Sequence, residues 1–325
     1  MGKILVTGGA GYIGSHVVKS LVEAGESVVV VDNLSTGFRK AVIGAELVVA
    51  DLGDDEILNR LFLHHQFEAV MHFAGSIVVP ESVREPLRYY QNNTLNSWKL
   101  LGHCVTHKVR HFIFSSTAAV YGMPQDGVCA ETAALAPLTP YGHSKLMTEQ
   151  MLWDTCSVNA MSAVALRYFN VSGADAGGMI GQSFPQATHL IKVACETAVG
   201  KRPQMEIFGT GYPTPDGTCI RDYIHVTDLA AAHLSALSYL RAGGPTNVFN
   251  CGYGKGYSVR EVIAKVKEIS GVDFKVVESA ARPGDSANLI SRAEKILQQT
   301  DWRPQHEGLE KIIASALNWE KKKRY

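Results

Sequence analysis

A tyrosine and a lysine four residues apart, Tyr141 and Lys145, open the segment "TPYGHSKLMTEQ". On a helix, positions i and i+4 share a face. A free phenol has a pKa of about 10, too high for a base at neutral pH. A cation within reach lowers it by ~1–3 units. A tyrosine placed in this way takes a proton from an alcohol while hydride leaves the same carbon. Upstream, Thr117 follows Ser115 and Ser116 at the end of the apolar run "HFIFSS" and is placed to hydrogen-bond that alcohol. The Tyr–Lys spacing recurs by chance on helices, so its meaning depends on a place for a hydride acceptor.

The N-terminal segment offers that place. In "KILVTGGAGYIGSH", Gly8, Gly11 and Gly14 stand between a strand-like run and a helix-like one. Glycines there allow a tight turn and let backbone N–H groups approach a pyrophosphate at the helix N-terminus. The next strand-like run, "SVVVVD", ends at Asp32. An acid at that position accepts from a ribose 2′-hydroxyl and repels a 2′-phosphate, which favours NAD over NADP. Arg39 and Lys40 lie nearby and read as a solvated loop. Asp51, followed by Leu52, ends a third run and suits either an adenine amino group or a turn. The small residues of "HFAGS", 72–76, end a fourth and fit a close approach to a cofactor or a tight bend.

These groups need a scaffold that brings strand ends together. The runs "KILVT", "SVVVVD", "ELVVAD", "EAVMHFAG", "HFIFSS" and "SAVALRYFN" read as strands separated by helical patterns. That alternation predicts an α/β fold with a Rossmann-type, doubly wound parallel sheet. After Asn170 the stretches "GADAGGMIGQSF" and "GTGYPTPDGTC" read as loops. Helical patterns return at about 187–199, 227–241, 258–270 and 307–323. The expected division is an NAD-binding domain over 1–170 plus about 226–250. A smaller C-terminal α/β domain over about 171–225 and 251–325 would hold the substrate.

Bulk composition narrows the function classes. The chain has 325 residues, with 31 Lys and Arg against 31 Asp and Glu, so no global charge favours nucleic acid or an anionic membrane. No apolar stretch approaches the ~20 residues that span a bilayer, and the glycine-broken N-terminus does not read as a signal peptide. None of the six cysteines forms a C-x-x-C, so neither a metal site nor a redox motif is expected. Free thiols suit a cytoplasmic protein. The terminal "EKKKRY" reads as the solvated end of a helix.

Taken with "VDNLSTG", "ESV", "PLRYYQNN", "FIFSSTAAVYG", "LRYFNVSGA", "IFGTGYPTPDGTCIRDYIHVTDLA", "NCGYGKGYSV" and "RPGD", these motifs resemble the extended short-chain dehydrogenases/reductases. Within that family the resemblance is to the UDP-glucose 4-epimerases, and it runs essentially end to end. It implies tightly held NAD, with Tyr141 as catalytic base and Thr117 bonding the sugar O4. Lys145 would lower the pKa of Tyr141 and hold the nicotinamide ribose. Implied NAD contacts are Tyr12, Ile13, Asp32, Asn33, Asp51, Leu52, Phe73, Ala74, Gly75, Asn92 and Phe169. Asn170, Arg221, Arg282 and Asp285 would hold the uridine diphosphate. His189 and Leu190 fall where the family often has Asn-Leu, and Glu206, Ile207 and Phe208 where it cradles the uracil. Leu289, seven residues after Arg282, falls where a residue closes the pocket beside the sugar's C2 substituent. Ile77 stands where some relatives carry a lysine.

The implied activity is that of an isomerase interconverting UDP-glucose and UDP-galactose. C4 is oxidised, the 4-keto sugar rotates, and hydride returns to the opposite face. Ala118 and Ala119 stand where the family's 4,6-dehydratases place acids, and a decarboxylase would carry a glutamate near 119. Both readings are thereby disfavoured. A 4-epimerase for UDP-N-acetylglucosamine, UDP-glucuronate or a UDP-pentose remains open. So does a non-catalytic NAD-binding sensor, although a sensor is expected to lack Tyr141 or Lys145. The resemblance further implies a homodimer built from helices flanking the Tyr141 segment.

Overall fold

The computed structural model describes residues 2–124, 126–282, 284–322 and 325. The first half alternates as its sequence pattern predicts: β1 (Lys3–Thr7), α1 (Tyr12–Glu23), β2 (Val28–Asp32), β3 (Glu46–Val49), α2 (Asp55–His64) and β4 (Phe67–His72). Then come α3 (Val79–Arg84), α4 (Pro86–Tyr89), α5 (Asn96–Thr106), β5 (His111–Ser115), β6 (Val128–Cys129), α6 (Pro140–Val158) and β7 (Ser162–Tyr168). The remainder holds β8 (Asn170–Ser172), α7 (Leu190–Ala198), β9 (Met205–Phe208), β10 (Ile220–His225), α8 (Val226–Arg241) and β11 (Asn247–Cys251). It ends with β12 (Gly256–Ser258), α9 (Val259–Ser270), β13 (Val276–Ser279), β14 (Asn288–Ser291), α10 (Glu294–Gln299) and α11 (Leu309–Lys322).

Seven strands form one parallel sheet in the order β11-β7-β5-β4-β1-β2-β3. All five residues of β2 are buried, so its unbroken valine run reflects helices on both faces. Side chains alternate across the sheet. Ile4 and Val6 pack with Val17 and Leu21 of α1 and Leu229 and Leu237 of α8. Leu5 packs on the other face with Leu58 of α2, Leu100 of α5 and Leu152 of α6. The chain leaves β1 toward β2 and β3, then crosses back to β4 on the other side. That reversal between β1 and β4 opens a crevice at the strands' carboxyl ends.

A second sheet runs β12-β10-β14-β6, with β8 also on β10. It is mixed: β12 is antiparallel to β10, while β8 and β14 are parallel to it. The pair β9–β13 forms a third, parallel ribbon. Helices α7, α9 and α11 close a separate core around Ile191, Val262 and Ile312.

Two segments cross the boundary drawn from sequence. The two-residue strand β6 reaches from the first half of the chain to pair with β14. Ala293, Ile296 and Trp302 join the core of the seven-stranded sheet, and the Trp302 indole donates to the Asp228 carbonyl at 2.8 Å. A π-helical stretch, Tyr90–Leu95, separates α4 from α5. Such stretches cluster at functional sites, and sequence periodicity does not reveal them.

Candidate active site

The start of α6 is set by local chemistry. Thr139 caps it, accepting from the Gly142 amide at 3.3 Å, and Pro140 occupies the first turn without needing a hydrogen-bond partner. Tyr141 therefore stands in the first turn, with Lys145 one turn on, and both are buried. The end of β5 faces them. Tyr141 is hydrogen-bonded to Thr117, and the Lys145 ammonium donates to the Ser115 carbonyl at 3.0 Å. The same ammonium lies 4.9 Å from the centre of the Phe114 ring. Burial lowers the Lys145 pKa to about 8, with Glu149 pulling the other way. Burial also raises Tyr141 above its ordinary value, against the effect of Thr117. The chain's own groups thus hold Tyr141 as a neutral phenol, and the depression attributed to Lys145 is not produced by the lysine alone.

The β1–α1 turn lies in the crevice between β1 and β4. Gly8 adopts φ +70°, and a Cβ there would come within 2.6 Å of the Ala74 amide nitrogen. A Cβ at Gly14 would lie 2.3 Å from the Gly8 carbonyl oxygen. Side chains at either position would break the turn. Helix α1 begins after Gly11 with no side-chain cap and no acid in its first turn. Its positive end is left for an anion, and the amides around Tyr12 and Ile13 suit a pyrophosphate. The Tyr12 hydroxyl points elsewhere, donating to the Gly173 carbonyl at 2.7 Å.

Asp32 ends β2, buried, accepting from the amides of Ala10 at 2.9 Å and Leu34 at 2.8 Å. Its remaining lone pairs suit a ribose hydroxyl. Asp51 is exposed, accepting from the Gly53 amide at 2.7 Å and from Asn33 at 2.8 Å, while Leu52 is buried beside it. The turn reading of Asp51 therefore holds, and its outer face is open to a base. Phe73, Ala74 and Gly75 follow β4, and Asn92, from the π-helical stretch, donates to the Ser76 hydroxyl at 2.8 Å. The donor set, the glycine cradle and the uncapped helix fit an NAD molecule lying across the sheet edge.

On the far side, β10 and β14 place Arg221 directly opposite Leu289. Asp285 lies 3.8 Å from the Arg221 guanidinium, and the Arg282 guanidinium stacks 3.6 Å from the centre of the Phe208 ring. Leu289 packs against the cluster of Ala118, Val120, Tyr121, Cys129 and Phe169, beside the strand end that carries Thr117. Asn170 begins β8 next to Phe169. His189 precedes α7 without a side-chain cap, its Nδ1 at 2.9 Å from the Gln182 amide nitrogen, ahead of half-buried Leu190. Glu206 is exposed and accepts from Ser279 at 2.9 Å. Ile207 is different: its side chain is buried in the core of α7, α9 and α11, so only its backbone is free to meet a base. Ile77 is exposed.

Sequence reasoning did not find three buried groups around this site. His72, at the end of β4, bridges Thr7 at 2.6 Å and Ser97 at 2.7 Å, and burial lowers its pKa to about 3. Asn93 donates to the Ser76 carbonyl at 3.0 Å and to the Ser144 hydroxyl at 3.0 Å, and accepts from the Ser76 amide at 2.7 Å. Glu149 continues the Tyr141–Lys145 stripe by one turn, a spacing visible in the sequence.

Comparison with known proteins agrees with this geometry. Residues 4–252 match the model of the NAD dependent epimerase/dehydratase family. A UDP-glucose 4-epimerase of Azospirillum brasilense is 54% identical over 320 residues, covering 98% of this chain and 92% of the relative. The structure of a UDP-Glc/GlcNAc 4-epimerase from Campylobacter jejuni is similar, with 49% identity, a TM-score of 0.87, and coverage of 99% and 100% of the two chains. A UDP-glucose 4-epimerase from Brucella ovis in complex with NAD superposes with a TM-score of 0.95 at 40% identity, over 98% and 99%.

Proposed function

The chain belongs to the NAD dependent epimerase/dehydratase family, and from that premise we propose that it is an NAD-dependent UDP-glucose 4-epimerase. The observation that carries the reading is the convergence of Thr117, Tyr141 and Lys145 at the strand ends beside the glycine cradle. The Gly8–Gly14 turn and Asp32 would hold NAD, which when bound would supply the reversible hydride acceptor for C4 of the sugar. Tyr141 removes the O4 proton and later restores it, and Thr117 orients that oxygen. Lys145, with the cationic cofactor ring, supplies the positive field that brings the buried phenol toward neutral pH.

Arg221 and Arg282 hold the diphosphate, since guanidinium groups meet phosphate oxygens in a bidentate fork. Asp285 and the backbone of Glu206–Phe208 orient the uridine, while Asn170, His189 and Leu190 line its approach. Inversion requires the sugar to turn about its bond to the diphosphate, so the nucleotide is gripped and the sugar is not. Residues 1–170 with about 226–250 form the cofactor unit, and about 171–225 with 251–325 the substrate unit, apart from the crossings described above.

UDP-N-acetylglucosamine is a second substrate class. Leu289 borders the catalytic strand end and is smaller than a tyrosine, which would crowd a C2 acetamido group. The Campylobacter jejuni relative acts on both UDP-Glc and UDP-GlcNAc. The assembly is a homodimer. Leu95, Trp98, Met147 and Val158 expose large apolar surface on and beside α5 and α6, a patch suited to a second copy. No helix among the described residues is long and apolar enough to cross a membrane, and all six cysteines are free, as suits the cytoplasm.

The test is turnover of a UDP-sugar panel with the product's C4 configuration read by NMR. UDP-galactose and UDP-glucose should interconvert, and absence of C4 inversion with either refutes the reading. Tyr141→Phe should keep NAD and UDP while losing turnover by about 100-fold or more.

A further inference from the structure

Behind the catalytic pair lies a buried charged assembly that the reaction does not use. Glu149, one turn beyond Lys145 on α6, is wholly shielded from solvent. Arg167 of β7 holds it with two bonds, Nε to Oε1 at 2.9 Å and Nη2 to Oε2 at 2.6 Å. Ser116 donates its hydroxyl to the same Oε1 at 2.5 Å. Arg167 also donates to the Tyr121 hydroxyl at 3.1 Å, and Tyr121 donates to Asn250 at 2.6 Å.

Stability alone is a weak reason for such a pair. Desolvating two ions is costly, and well-packed apolar residues in their place are often as stable or more so. Location offers a better reason. Three consecutive residues at the end of β5 are tied to three turns of α6. Ser115 accepts from Lys145 through its carbonyl, Ser116 donates to Glu149, and Thr117 bonds Tyr141. The outer two ties involve groups that handle substrate and cofactor, so they must rearrange during turnover. The middle tie does not, because Arg167 clamps Glu149 on both oxygens.

We propose that Glu149, clamped by Arg167, is a positioning residue that acts through Ser116 to set the strand end carrying Thr117 against the helix carrying Tyr141 and Lys145. This rests on the reading of Tyr141 as proton acceptor given above. A displacement of about 1 Å between reacting groups is enough to cost about 100-fold in rate. A carboxylate one turn from Lys145 also favours its ammonium form.

Two variants test the inference. Ser116→Ala cuts the tie and leaves the ion pair whole. Glu149→Leu/Arg167→Met removes both charges together, so no lone buried ion remains. Both are assayed as full-length, NAD-loaded protein with UDP-galactose. In each, kcat should fall about tenfold or more while KM changes by less than about threefold, the pattern of an interaction that matters only in the transition state. NAD content and thermal midpoint of Ser116→Ala should match the wild type. Wild-type kcat in folded, NAD-loaded Ser116→Ala overturns the proposal, and that variant decides the matter if the double variant does not fold. Failure of the wild-type chain to invert C4 of UDP-galactose strikes the proposed activity instead, before either variant is compared.

Discussion

Acidification from about pH 7.5 to about pH 5 should cost this fold up to about 8 kcal/mol through four buried histidines. His16, His225 and His233 are each lowered from 6.5 to about 4, and His72 to about 3, in every case chiefly by burial. A folded-state value below the unfolded one means that the unfolded chain takes up protons the folded chain refuses. Stability is then intact above pH 6.5 and is lost as the pH falls toward the folded-state values. For a histidine moved from 6.5 to about 4, the loss at pH 5 is about 2 kcal/mol. Four such groups give about 8 kcal/mol, comparable to the whole stability of a typical domain. His65, His111 and His189 shift in the same direction. Asp228, Glu68 and Glu196 are lowered from their ordinary carboxylate values, so their contribution is lost below this window. Asp32 and Asp222 are raised by burial and work the other way, returning some stability as they take up protons. The assay is urea unfolding at three pH values, followed by fluorescence of the buried Trp302 and Trp319. The reasoning fails if the unfolding free energy at about pH 5 lies within about 2 kcal/mol of that at about pH 7.5. His233 bonds the Leu229 carbonyl through Nδ1 at 2.9 Å, and its Nε2 has no hydrogen-bond partner among the described residues. His233→Gln should therefore shrink the acid loss by about 2 kcal/mol.

Gly14→Ala should strip the protein of bound NAD, because the added methyl meets the Gly8 carbonyl at 2.3 Å; wild-type NAD stoichiometry after purification contradicts this. The nucleotide extracted from the wild-type protein should be NAD, and added NADP should not displace it, since the buried Asp32 carboxylate repels a 2′-phosphate; NADP as the main species overturns the assignment. Leu289→Tyr should lower kcat/KM for UDP-N-acetylgalactosamine relative to UDP-galactose, and an unchanged ratio removes Leu289 as the gate.

Much of the cofactor side was legible in the sequence because its geometry is local. A strand followed by Gly8, Gly11 and Gly14 and then a helix specifies a phosphate turn from near neighbours alone. The Tyr141–Lys145 spacing specifies a shared helix face once Thr139 and Pro140 start the helix. Short apolar runs alternating with amphipathic ones lead to a parallel sheet covered by helices, which buries both faces of β2. The expectation for Leu289 had a different source, the resemblance of "RPGD" and its flanks to a known family.

Tertiary structure decided the rest, wherever a residue's role depends on a partner that sequence distance hides. Arg221 and Leu289 face each other only because β10 and β14 pair in one register. Asp222, wholly buried, accepts from the amides of Tyr253, Gly254 and Ser291, joining segments that no periodicity connects. Trp302 crosses to the first core because the Asp228 carbonyl waits there. Glu149 shares the Tyr141–Lys145 helix face in sequence, but spacing alone does not say that it is buried. It becomes a buried anchor because β7 carries Arg167 beneath it, and a carboxylate enters a protein interior only where a guanidinium and a hydroxyl replace the water it gives up.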